Sequence, residues 1–221
     1  MIYLLFLLGA LVFPVLLILT DTEENHKTSL YFKVLGSLSF VILGSLGLKH
    51  HRNTYAYLIL LALISGFIGD VLLHVRHLYQ ESRVLLYLGG SFFLLGHLFY
   101  ITAILKDLRG RFLLPFSIGL CLALGFSLAY RSMQKMGRIF RFLCIIYIVF
   151  VLSFASFAGG LYFTDPSRSR LLLFIGAVLF ASSDMVLIYD LIAAEKKKWC
   201  SPVLLILYYL GQSLIALSLS L

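Results

Sequence analysis

The sequence predicts an all-α protein, a polytopic membrane bundle of eight transmembrane helices that makes a single domain over residues 1–221. Three observations carry that reading. Hydrophobic residues are 61% of the chain and charged ones 13%, with a mean hydropathy of +1.00, whereas about a quarter of an ordinary globular domain is charged. Apolar runs near 2–19, 29–48, 55–73, 84–105, 112–130, 142–163, 171–194 and 202–221 are each long enough, or nearly so, to cross about 30 Å of hydrocarbon as a helix. The runs also lack the polar-in, apolar-out alternation and ten-residue spacing of a membrane β-barrel.

The first run has no Lys or Arg ahead of it, and its first charge is Asp21, so it lacks the basic n-region of a signal peptide and reads as a retained span. The second carries Lys33 near its start. In the third, "LISGFIGDVLLH" (63–74) sets Asp70 late in the span, one turn after Gly66 and beside Ser65. The fourth holds His97 at its middle, three residues before Tyr100. The fifth and sixth contribute Cys121 and Cys144. The seventh has Asp184 near its middle after Ser182 and Ser183, with Asp190 at its end. The eighth has Tyr208 four residues before Gln212. Residues three or four apart share a helix face, so each of these polar groups is paired with a small or hydrogen-bonding neighbour.

The connectors are short and charged ("DTEENHKTS", "KHHRN", "KDLRGR", "EKKKWCS"). They add no soluble domain, so any chemistry must come from the bundle. The net charge of +8 does not point to nucleic acid, because the basic residues flank apolar spans and act as topology signals. Loops after helices 1, 3, 5 and 7 hold ten: Lys27, Arg76, Arg83, Arg131, Lys135, Arg138, Arg141 and Lys196 to Lys198. The other side holds seven: Lys49, Arg52, Lys106, Arg109, Arg111, Arg168 and Arg170. The balance puts the odd-numbered loops in the cytoplasm. Cys121, Cys144 and Cys200 have no CxxC spacing and read as packing residues.

An internal repeat runs through the chain. "LGHLFYITA" (95–103) aligns with "LGQSLIALS" (210–218), "GDVLL" (69–73) with "SDMVL" (183–187), and more weakly "FKVLG" (32–36) with "FRFLC" (140–144). Asp70 precedes His97 by 27 positions and Asp184 precedes Gln212 by 28. Four helices is an even number, so two such halves share one orientation, as in a parallel repeat.

A charge near the centre of a membrane helix costs roughly 2.5–3.5 kcal/mol, so intramembrane ionisable groups face the bundle or a wet cavity. Tracing each helix puts Lys33 and Asp70 toward the odd-loop side and His97, Asp184 and Gln212 near mid-depth, compatible with one polar pocket. Interhelical hydrogen bonding is the better explanation of Ser65, Ser182, Ser183 and Tyr208, and for His97 and Gln212 it and a functional role stand level. It explains the two aspartates poorly, because structural contacts seldom need an ionisable carboxyl at such depth. A GxSxG nucleophile elbow is absent, and no three metal ligands cluster in the sequence. His26, His50, His51, His74 and His77 lie at loops or helix ends and read as interfacial, a place bordering the pocket being the lesser alternative for His74 or His77; Asp190 also reads as interfacial.

Taken together, "FKVLG" opening helix 2, "SGFIGD" ending helix 3, "GSFFLLGHLFY" on helix 4, "GAVLFASSD" on helix 7 and "YYLGQSLI" on helix 8 resemble the YhhN family, which includes bacterial and animal lysoplasmalogenases. The resemblance runs from helix 2 to helix 8. It departs at Val34, where the family commonly has Pro. It implies a multi-pass protein of a bacterial inner membrane that takes a lysophospholipid from the bilayer and hydrolyses its vinyl ether bond, releasing a fatty aldehyde and glycerophosphoethanolamine or glycerophosphocholine.

Vinyl ether cleavage begins with a proton delivered to carbon and passes through an oxocarbenium ion that water attacks. It needs one protonated acid and one carboxylate. Burial and a neighbouring carboxylate both favour a carboxyl that keeps its proton, and Asp70 and Asp184 are the expected pair, with the donor between them unassigned. His97 would orient a carboxylate or water, Tyr100, Tyr208 and Gln212 would hold glycerol oxygens, and Lys33 would meet the phosphate. The scheme requires no metal or organic cofactor. Buried Asp and His on repeated helices also fit a proton-coupled transporter or lipid exporter, and a non-catalytic membrane scaffold is a third reading.

Overall fold

The computed structural model describes residues 2–20, 25–49, 52–79, 82–108, 110–129, 137–193 and 197–221. Asp21, His50, His51, Arg109, Arg131, Lys135 and Lys196, used above as charge or interface signals, lie outside them. Eight helices follow in order: α1 (Ile2–Thr20), α2 (His26–Gly47), α3 (Thr54–Leu78), α4 (Arg83–Asp107), α5 (Leu113–Ala129), α6 (Arg138–Thr164), α7 (Arg168–Ile192) and α8 (Cys200–Ser218). The described residues contain no strand. Among the described residues seven helices are long and apolar enough to cross a membrane. The exception, α5, has 17 residues, about 25 Å at 1.5 Å per residue.

Helix is the only conformation in which one segment satisfies its own backbone in hydrocarbon. Local chemistry marks some ends. Asn53 accepts from the Ala56 N–H at 2.9 Å to start α3, and Ser167 accepts from the Arg170 N–H at 3.2 Å to start α7, as N-caps do. Several hydroxyls are spent on their own helix: Ser65 donates to the Leu61 carbonyl at 2.9 Å and Ser182 to that of Val178 at 2.8 Å. This back-bonding removes a polar group from lipid without a second helix, so neither serine bridges helices. Ser183 does, donating from α7 to the Leu204 carbonyl of α8 at 2.8 Å.

The two halves repeat each other's contacts. α3 lies on α4 as α7 lies on α8, α2 on α3 as α6 on α7, α1 on α2 as α5 on α6, and α2 meets α8 as α6 meets α4. The offset that aligns Asp70 with Asp184 also aligns Ala62 with Gly176 and Gly69 with Ser183. The offset that aligns His97 with Gln212 aligns Gly96 with Gly211 and Gly89 with Leu204. These positions touch in the same way. A Cβ on Gly96 would stand 3.2 Å from the Ala62 oxygen, and one on Gly211 would stand 2.8 Å from the Gly176 oxygen. Gly69 and Gly89 oppose each other across α3 and α4 where Ser183 bonds Leu204 across α7 and α8. Small residues bring the paired backbones together where apolar burial gives helices no preference over lipid.

Inside, Phe40, Leu43, Ile59, Leu63, Ile104 and Phe154 are fully buried. Outside, Leu4, Leu5, Leu113, Leu114 and Leu128 are exposed, as expected of surfaces that face acyl chains.

Substituting Gly211 with Ala is expected to destabilise the protein by about 1–3 kcal/mol, because the new methyl would meet backbone of Gly176 and Phe180 at 2.8 and 2.9 Å. Gly125→Ala on α5 meets nothing within 4 Å and should be neutral or stabilising by up to about 1 kcal/mol. Thermal unfolding in detergent compares the two.

Candidate functional site

Lys33 and Ser37 are one turn apart on α2, so both point at the same place on α3. Lys33 Nζ lies 3.2 Å from Asp70 Oδ1, and Ser37 Oγ donates to Asp70 Oδ2 at 2.6 Å. The Tyr209 hydroxyl, from α8, closes this cluster at 3.1 Å from Ser37 Oγ and donates to the Lys33 carbonyl at 3.2 Å. Asp70 is buried, so the lysine supplies the counter-charge that a carboxylate needs away from water.

Asp184 is equally buried but is surrounded differently. Tyr147, on α6, donates to its Oδ2 at 2.8 Å, and His97 Nε2, on α4, lies 3.5 Å from the same oxygen. His97 Nδ1–H donates to the Phe93 carbonyl one turn earlier at 2.9 Å. Phe180 stacks on the imidazole at 4.8 Å, while Tyr147 and Phe154 stand edge-on to it at 5.6 and 5.9 Å. Among the described residues no lysine or arginine pairs with Asp184.

Lys33, Asp70, Ser183, Asp184 and Tyr208 line one cavity of about 390 Å³. Its rim, at the odd-loop end of the bundle, carries His74, Arg76, His77, Asp190, Lys197 and Lys198. The rings of His26, His74 and His77 cluster there within 6.4 Å of one another, and His74 Nε2 lies 2.9 Å from Ser29 Oγ. A second, apolar groove of about 150 Å³ runs among α3, α4, α6 and α7, with Gly90, Leu94, Cys144 and Tyr147 in its wall. Leu73, Leu86, Phe93, Leu187 and Leu191 belong to both spaces, so the groove and the cavity share a wall. Tyr147 faces the groove and holds Asp184.

Of the residues singled out in the sequence, the structure thus puts Lys33, Asp70, Asp184 and Tyr208 around one space. His97 reaches Asp184 from behind it. Tyr100 and Gln212 lie deeper and pair with each other, Tyr100 donating to Gln212 Oε1 at 2.7 Å, while Tyr100 stacks on Phe154 at 4.5 Å. Gly66 gives Tyr208 and Gln212 their room, since a Cβ there would lie 3.3 Å from the Tyr208 hydroxyl and from Gln212 Nε2. Sequence reasoning missed Ser37, Tyr147 and Tyr209. Ser37 had a signal in its one-turn spacing from Lys33. Tyr147 and Tyr209 stand among other aromatic residues, and nothing local separates them from packing tyrosines. Among the described residues no group of three or more His, Cys, Asp or Glu is arranged to hold a metal ion, and Cys144 and Cys200 are buried free thiols while Cys121 is exposed.

The pairing of Lys33 with Asp70 sets an expectation for stability. Lys33→Met strips a buried carboxylate of its partner and should cost on the order of 3 kcal/mol, and combining it with Asp70→Asn should return much of that loss. Thermal unfolding of the single and double variants measures both.

The YhhN family model matches residues 28–219. No curated protein and no solved structure matches the chain. The match runs from α2 through α8 and takes in Lys33, Asp70, His97, Asp184 and Gln212. The chain is a member of the YhhN family, and an integral membrane one.

Proposed function

We propose that this protein is a membrane hydrolase that cleaves the vinyl ether bond of lysoplasmalogens, giving a fatty aldehyde and glycerophosphoethanolamine or glycerophosphocholine. One observation carries the reading: two buried carboxyls line a single cavity, and an apolar groove shares its wall. A lysoplasmalogen has the matching shape, with one hydrocarbon chain, a vinyl ether just below the glycerol and a phosphate that stays near water. The chain lies in the groove between α4 and α6, the vinyl ether reaches Asp70 and Asp184, and the phosphate meets the basic rim. Because that rim lies on the side with the larger share of Lys and Arg, the substrate enters sideways from the cytoplasmic leaflet, in the bacterial inner membrane by family resemblance.

The reaction asks for an acid, a carboxylate and a dry wall around the cation formed between them. Lys33 stays with Asp70 in this scheme, and the phosphate is left to the basic residues of the rim. Purified protein given lysoplasmalogen in detergent should release free aldehyde. Intact lipid after prolonged incubation would defeat the proposal and favour transport, in which the lipid is moved unchanged.

Asp70→Asn and Asp184→Asn should each lower turnover by at least about 10²-fold, the usual scale for acid–base groups, in protein that still inserts and folds. Gly90→Leu should act on binding instead. A Cβ at Gly90 meets nothing within 4 Å, so leucine enters the groove without disturbing the helices, and KM should rise for long-chain substrates more than for short-chain ones. Equal KM values across chain lengths would remove the groove from the substrate path.

A further inference from the structure

The Phe93 carbonyl can only accept, so the 2.9 Å contact fixes a proton on His97 Nδ1. Nε2 is then either a bare lone pair or a second N–H. It stands 3.5 Å from Asp184 Oδ2 and has no hydrogen-bond partner among the described residues. A lone pair facing a carboxylate oxygen in a buried site is repulsive, and an ionised Asp184 with no cation beside it is costly. Both penalties vanish if one proton occupies the contact, on either atom.

We propose that His97 and Asp184 hold one proton between them, and that this pair, not Asp70, is the acid of the reaction. Its chemical consequence rests on the hydrolase reading given above. The surroundings support the division. From the packed helices Asp184 faces the Tyr147 hydroxyl of α6 and His97 of α4, and across the cavity it faces Asp70 of α3, with its Lys33, and Tyr208 of α8. Lys33 and Ser37 occupy both oxygens of Asp70, which leaves it as the carboxylate. Tyr147 donates to Asp184 Oδ2 whichever of the pair holds the proton. Phe180, stacked on His97 at 4.8 Å, offers its π-face when the imidazole is charged.

Asp184 gives its proton to the alkenyl carbon β to the ether oxygen. The C=C π pair makes the new C–H bond, and the adjacent carbon becomes an oxocarbenium ion opposite the Asp70 carboxylate. Water adds its oxygen to that carbon and passes one proton to Asp70. The hemiacetal then collapses. Its hydroxyl proton returns to Asp184, its carbon–glycerol oxygen bond breaks, and the glycerol oxygen takes the proton from Asp70. Water is consumed, and aldehyde and alcohol leave. His97 is a positioning residue that shares the proton before and after.

The test needs no substrate at first. Wild-type protein at neutral pH should give either the infrared carbonyl band of a protonated carboxylic acid or, by 15N NMR of its histidines, a buried imidazolium. A band should persist in Asp70→Asn and vanish in Asp184→Asn. A neutral buried imidazole without any protonated-carboxyl band overturns the proposal in the wild-type protein alone, as does a band lost with Asp70. His97→Gln should lower turnover by about 10²-fold with KM little changed, whereas raised KM at full turnover would make His97 a substrate contact and overturn its role. If the spectra show the shared proton but no aldehyde is ever released, the hydrolase reading fails and the pair stands. If aldehyde is released and the spectra show no such proton, the pair fails alone.

Discussion

A charge carried into hydrocarbon must bring its neutralisation with it, and this constraint governs the interior of the bundle. Two carboxyls lie where each would be prohibitive alone. Asp70 is neutralised by Lys33, one helix away. Among the described residues Asp184 has no lysine or arginine beside it and meets the imidazole of His97 and the hydroxyl of Tyr147. The polar side chains nearby answer to these two groups: Ser37 and Tyr209 complete the first cluster, and the aromatic rings of Phe154 and Phe180 fix the imidazole in the second.

The repeated scaffold makes that difference possible. Equivalent small residues hold α3 to α4 and α7 to α8, so both halves present a carboxyl at the same place on the same kind of helix pair. Besides the side chains that reach the two carboxyls, the residue one turn before each differs. α3 has Gly66, which admits the ends of Tyr208 and Gln212. α7 has Phe180, which fills that space and covers His97. Glycine against phenylalanine at this position, together with Lys33 and Ser37 at Asp70 and Tyr147 and His97 at Asp184, gives the two carboxyls unlike surroundings on matching helix pairs. General acid–base chemistry asks for just such a pair.

The lipid-facing surface contributes through what it leaves open. Helices in a bilayer gain little from covering apolar surface, so gaps between them persist unless small residues close them. α3 and α4 are closed by Gly69 and Gly89. α4 and α6 leave a groove whose wall continues into the polar cavity. The proposed lysophospholipid would then place its chain in the groove and its headgroup at the basic rim.

The sequence by itself determined the helices, their order and the membrane as solvent, because hydrophobic runs of this length have no other stable solution. It also identified Asp70, Asp184, His97 and Lys33, since the cost of a buried ionisable group is paid wherever the helix goes and can be read from position alone. It implies that the halves are parallel, because each has four helices, an even number. Tertiary structure decided the partners. Nothing in the spacing says that Lys33 turns to Asp70, that Tyr147 from another helix reaches Asp184, or that Tyr100 donates to Gln212 behind the cavity. Those pairings depend on the rotation of each helix about its axis and on which gaps small residues close, and both are properties of two surfaces in contact.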